Sequence, residues 1–192
     1  MYSSFKKKID SGKGFTLVEL LVSVSIFVFM TALLLSKYGS FNQGILLTNL
    51  AYDVALTIRT AQSYGLNVKS KSRTADEFEG SFGVHFDKTA SGSPAKNTQI
   101  ILFADVGTVA NSYDTEDVIM STYNIKRGSV VSELTVLATS KSTLDLVFKR
   151  PDPKAMIHND VNNDVATIEL KTSDGSTKKI YVRNTGQIGV VN

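Results

Sequence analysis

Few residues in this chain could carry chemistry, and the one in the least comfortable place is Glu19. From Phe15 to Leu35 the sequence is an apolar run of membrane length, and Glu19 is a carboxylate inside it. An ionised side chain in hydrocarbon costs about 2.5–3.5 kcal/mol on insertion scales, so it demands a partner or a function. No Lys, Arg or His lies between Phe15 and Leu35 to supply a counter-ion. A cut between Gly14 and Phe15 would create an α-ammonium about 6 Å from Glu19 along a helix. That cation can serve Glu19 of its own chain or of a neighbouring copy.

Lys13-Gly14-Phe15-Thr16-Leu17-Val18-Glu19, followed by the apolar run, resembles the type III signal sequence of type IV pilins and type II secretion pseudopilins. The resemblance combines Gly before the cut, Phe after it, Glu at the fifth position of the cut chain and a basic leader. It implies that a membrane-embedded prepilin peptidase cleaves between Gly14 and Phe15, removes residues 1–14 and N-methylates Phe15. It also implies that Glu19 guides each subunit to dock beside the Phe15 amine of a neighbour. The bland alternative is an ordinary single-span anchor that tolerates Glu19. A secretory signal peptide fits less well, because its apolar core of roughly 7–15 residues should end at a small-x-small site.

Other chemistry has thin support. His85 alternates with Val84 and Phe86, which places it on the exposed face of a strand, and His158 falls in a polar loop. There is no Cys, no His-x-x-x-His and no Gly-x-Ser-x-Gly, so nucleophilic and zinc chemistry find no motif. The chain is read as a non-enzyme that uses no cofactor. Two acidic clusters could hold a hard cation. Asp160-Val161-Asn162-Asn163-Asp164 has oxygen side chains at positions 1, 3 and 5 of a calcium loop, but Val165 replaces the turn Gly and Lys171 the bidentate Glu. Asp105, Asp114, Glu116 and Asp117 fall in a loop that could close on calcium. Calcium occurs in some pseudopilins, at a different motif that is not matched here.

The formal charge is +3, and all of it belongs to the first fourteen residues, where Lys6, Lys7, Lys8 and Lys13 stand against Asp10. From Phe15 onward the charges balance, so no globally basic surface for nucleic acid is indicated. The same lysines set topology. Positive charge stays cytoplasmic, and the chain after Leu35 is expected across the membrane. Without cysteine no disulfide staples the domain; many pilins carry one near the C-terminus, and this chain departs from them.

The elements that must position these residues follow from periodicity. A helical pattern runs for about fifty residues from Phe15, roughly 75 Å if unbroken. Its first half is apolar all round, as a bilayer or fibre core requires. In its second half Leu47, Ala51, Val54, Ile58 and Ala61 recur at spacings of three and four, with Asp53, Thr57, Arg59 and Gln62 on other faces. That stripe should pack on a sheet, and Gly65 is a candidate left-handed C-cap. Gly39, Ser40 and Gly44 lower helix propensity between the halves, so a bend in an assembled fibre and two tolerated glycines are both open readings. Many pilins have Pro near here, where this chain has Ser36.

After Leu66 the pattern becomes short strands: Phe82–Phe86, Thr98–Ala104, Val118–Ile125, Val130–Leu137, Leu144–Phe148, Ala166–Lys171, Lys178–Arg183 and Gln187–Val190. Asp174-Gly175 marks a hairpin between Thr167–Lys171 and Lys178–Arg183. Asn67–Gly80 and Thr89–Asn97 read as surface loops.

Ile100-Ile101-Leu102-Phe103-Ala104-Asp105, Tyr113-Asp114-Thr115-Glu116-Asp117 and Ile125-Lys126-Arg127-Gly128 resemble the globular domain of GspH/FimT-type minor pilins. Leu144–Arg150 and the stretch from Val182 through Gly186-Gln187-Ile188 to Val190 are similar to that domain's closing strands. Phe148-Lys149-Arg150-Pro151-Asp152-Pro153 stands where a tighter Gly-containing turn is expected. Some FimT-like proteins are linked to DNA uptake. Lys149 and Arg150, with Lys154, and separately Lys178, Lys179 and Arg183, are the cations that could meet phosphates. A solvated strand edge guarded by lysine is the plainer reading.

The expectation is therefore an α+β, pilin-like chain with a long N-terminal helix packed on a mainly antiparallel β domain. It comprises a leader (1–14), a transmembrane half-helix (15–35), an amphipathic half-helix (36–65) and an extracytoplasmic β domain (66–192). The implied product is a minor pilin or pseudopilin of a type IV pilus or type II secretion system. Major pilin and DNA-binding minor pilin are the alternatives. Implied partners are prepilin peptidase, other pilin subunits, the inner-membrane assembly platform and the lipid bilayer, with DNA a further candidate. The implied location is the inner membrane, with a single pass and the leader in the cytoplasm, and then the assembled fibre.

Overall fold

The computed structural model describes residues 14–67, 80–157, 162 and 164–191. It divides into two units, Met1–Phe41 and Asn42–Asn192. One helix, α1 (Leu17–Leu66), contributes residues to both.

In the first unit, Leu17–Ser36 is long and apolar enough to cross a membrane, and none of it is buried. Its few hydroxyls do not disturb it. Ser23 Oγ donates to the Glu19 carbonyl at 2.7 Å, Ser25 Oγ to that of Leu21 at 2.8 Å and Thr31 Oγ1 to that of Phe27 at 2.8 Å. These three hydroxyls are thus satisfied within the helix, the condition hydrocarbon imposes.

The second unit joins residues 42–66 of α1 to two antiparallel sheets. The strands are β1 (Ser81–Asp87), β2 (Gln99–Asp105), β3 (Val118–Asn124), β4 (Val130–Val136), β5 (Thr139–Lys141), β6 (Thr143–Lys149), β7 (Asp152–Ile157), β8 (Val165–Lys171), β9 (Thr177–Arg183) and β10 (Ile188–Val191). Their order is β3-β2-β1-β6-β7 in the first sheet and β10-β9-β8-β4-β5 in the second. This is the expected α+β architecture.

Alternation explains the core. On β8 Ala166, Ile168 and Leu170 point inward, and on β9 Ile180 and Val182 do the same. They share one hydrophobic cluster with Val84, Leu102 and Leu146 of the first sheet and with Leu47, Ala51, Val54, Ile58 and Ala61 of α1. The predicted helical stripe is therefore the buried one, joined by Leu50 and Ala55. The predicted hairpin is also present. Lys171 faces Thr177 across it, and the turn is closed by Ser176 N–H donating to Asp174 Oδ1 at 3.0 Å, with Gly175 at φ 91°.

Four readings need correction. Gly65 is inside α1 and is not its cap; a Cβ there would collide with the Phe148 carbonyl oxygen, so the residue is small to let helix and sheet meet. The segment after Phe148 is not a simple turn, because Asp152–Ile157 forms β7 beside β6. The short β5 was not expected. His85 is not on an open face: β1 is buried on both sides, apart from a partly exposed His85. Most of the Asn67–Gly80 loop, His158 and three members of the Asp160–Asp164 cluster lie outside the described residues.

Candidate functional site

The N-terminal segment is organised by Thr16. Its Oγ1 accepts the Glu19 N–H at 3.2 Å, capping the helix that begins at Leu17. Reading for charge alone passes over Thr16, and the Thr-x-x-Glu spacing of a capping box is the signal that reveals it. The Gly14–Phe15 peptide therefore lies ahead of the first helical turn. Both residues are exposed and outside any regular element. Phe15 is 77% exposed. Glu19 sits in the first turn, where the helix dipole favours negative charge. Its carboxylate forms no ion pair among the described residues.

In the second unit α1 buries one stripe and leaves another bare. Ile45, Tyr52 and Leu56 are large apolar residues on its outer side, 45%, 61% and 62% exposed. Beside them a groove of about 450 Å³ runs between α1 and the end of β3, lined by Leu46, Leu50, Asp53, Tyr123, Lys126 and Arg127 among others. Tyr123 Oη donates to Asp53 Oδ2 at 3.0 Å. Burial, and then the Asp53 carboxylate, push the Tyr123 phenol up to about 12.

The acidic loop closes on its own amides. Asp117 Oδ1 accepts the Val106 and Gly107 N–H groups at 2.9 Å, and its Oδ2 accepts that of Asp114 at 2.9 Å. Asp114 accepts from Val109 and Glu116, and these backbone donors hold its carboxyl below the ordinary value. Asp105 Oδ2 accepts from Ser81 Oγ at 2.7 Å and Asn111 N–H at 2.9 Å. Among the described residues no three acidic, His or Cys side chains form a group that could hold a metal.

The same loop covers His85. Tyr113 lies against its ring with centroids 4.7 Å apart and also touches Phe103 at 5.2 Å. Asp145, 4% exposed, is bound through Oδ1 to His85 Nδ1 at 2.6 Å and accepts from Ser112 Oγ at 2.9 Å. Ser112 meets the carboxylate and not the imidazole, so the trio fastens the loop to the sheet and lacks the order of a nucleophilic triad.

The basic residues come from both sheets. Lys149 ends β6 and Arg150 follows it in the first sheet, while Lys178, Lys179 and Arg183 lie on β9 of the second. Alternation puts Lys178 on the side of Ile180 and Val182, and Lys179 and Arg183 on the other side with Tyr181. Lys179 pairs with Glu169 at 3.3 Å, and Arg183 lies 6.0 Å from the Tyr181 ring centre.

Residues 11–35 match the family model of the prokaryotic N-terminal methylation motif. This is the signal of type IV pilins and pseudopilins, and it supports a pilin-like protein that prepilin peptidase processes and that is anchored in a membrane by its apolar helix. No curated protein and no solved structure matches the chain.

Proposed function

We propose that this chain is a minor pilin or pseudopilin of the GspH/FimT type, cut between Gly14 and Phe15, N-methylated on Phe15 and drawn from the inner membrane into a helical fibre. The observation that carries the reading is Glu19. It is a carboxylate with no ion pair among the described residues, in the first turn of a bare apolar helix and four residues after the amine that cleavage would free. In a neighbouring subunit that amine is the nearest chemistry able to neutralise it. The exposed Ile45, Tyr52 and Leu56 give the outer side of α1 apolar surface to bury against other subunits. Because every subunit offers the same acid and the same amine, the contact is head-to-tail and makes an open filament. The motif points to a structural subunit and not an enzyme.

The minor-subunit assignment rests on the GspH/FimT-like segments, which fall on β2, the acidic loop, the turn after β3, and β6, β9 and β10. Glu19→Ala tests the pairing. Cleavage should proceed with little change while incorporation into sheared fibres falls sharply; normal incorporation would refute the role of Glu19.

A further inference from the structure

Among the described residues four strands end the two sheets: β3 and β7 in one, β10 and β5 in the other. Three carry features that discourage pairing with another chain. β7 begins Asp152-Pro153-Lys154, β5 has three residues including Lys141, and β10 has only four. β3 differs. Its seven residues contain neither a charge nor a proline, and Val118 and Ile119 are 39% and 52% exposed. Charge flanks the strand instead, with opposite sign at its two ends. Asp114, Glu116 and Asp117 precede it, and exposed Lys126 and Arg127 follow it. Glu116, Lys126 and Arg127 form no ion pair among the described residues.

We propose that β3 is a self-complementary edge that pairs antiparallel with β3 of a second copy of this chain, about a two-fold axis at Ser121. In that register Val118 faces Asn124 of the second copy, and Glu116 comes opposite Lys126. The charges choose the direction, since parallel pairing would set acid against acid and base against base. The contact is isologous, so each ion pair occurs twice. Met120 is the extra residue of a bulge against β2, between the Leu102–Ser121 and Phe103–Ile119 pairs. A bulge bends and twists its strand, so the shared ribbon is short and the association reversible. Reversibility suits a subunit that must separate before entering a head-to-tail fibre. The pairing itself needs neither cleavage nor a fibre, and stands apart from the assembly reading.

The absence of cysteine makes the test direct. Residues opposite one another in an antiparallel pair have Cα atoms about 4.5–5.5 Å apart, within the roughly 4.4–6.8 Å that a disulfide spans. Full-length Ser121→Cys protein, purified in mild detergent from cells lacking the assembly machinery and oxidised with copper–phenanthroline, should give a disulfide-linked dimer. Thr139→Cys, exposed on the β5 edge, should remain monomeric. Adding Lys126→Glu and Arg127→Glu to Ser121→Cys should lower the dimer yield about fivefold or more, and Glu116→Lys on top should recover it, as cross-strand charge pairs require. Failure of Ser121→Cys to cross-link, equal yields from the two cysteine variants, or a yield indifferent to charge reversal would overturn the proposal. Capture of a different protein in place of a second copy would do the same.

Discussion

Gly65 and Glu19 illustrate how much a single position can decide. At Gly65 the helix approaches β6 so closely that a methyl group would strike the Phe148 carbonyl. Gly65→Ala should destabilise the globular unit by about 1–3 kcal/mol through overpacking, read as a lowered midpoint in urea. An unchanged midpoint would mean that the two elements do not meet there. Read locally, a glycine near the end of a helix announces a cap; the neighbour that explains it is more than eighty residues away, so its purpose was hidden. Glu19 was legible for the opposite reason. Its oddity is its immediate sequence, a charge in a run of Leu, Val and Phe. Gly14 belongs with it, since it leaves the peptide before Phe15 unencumbered by a side chain. Gly14→Ala should block or greatly slow processing; an unchanged shift in gel mobility when the peptidase is expressed would contradict this.

At the level of elements, alternation and turn chemistry made most strands readable. The β8–β9 hairpin follows from Thr167–Lys171, Asp174-Gly175 and Lys178–Arg183 without any tertiary information. β7 was obscured because Asp152 and Pro153 carry turn signals, yet an edge strand accepts proline where no ladder bond is needed. β5 is too short to show a period. His85 was misplaced because alternation tells which residues share a face but not whether a distant segment covers it. The cover is the acidic loop, and its stability depends on its carboxylates. Asp117→Ala would leave three loop N–H groups without their acceptor and should cost about 1–3 kcal/mol. Retained protection of the Val106, Gly107 and Asp114 amides against exchange would contradict it. Asp114 adds a pH dependence. Its folded pKa lies below the ordinary 3.8, so its contribution is full above that value and is lost as pH falls through the depressed one. Protection of the Val109 and Glu116 amides should decline over that acidic range and not between pH 6 and 8.

At the scale of the whole molecule, every surplus charge lies ahead of Phe15, while the rest is electrically balanced and bears an apolar helix with one acid, Glu19, in its first turn. Removing the first fourteen residues would take away four lysines and supply a cation for Glu19 in a single step. The charged leader would thus oppose withdrawal of the apolar helix from the membrane, and its loss would make the chain competent to assemble. Intact-mass and N-terminal peptide analysis of the protein recovered from membranes of peptidase-competent cells tests this most directly. The expected result is a chain that starts at Phe15 with a methylated amine. A chain that still carries Met1 through Gly14 under those conditions would contradict it.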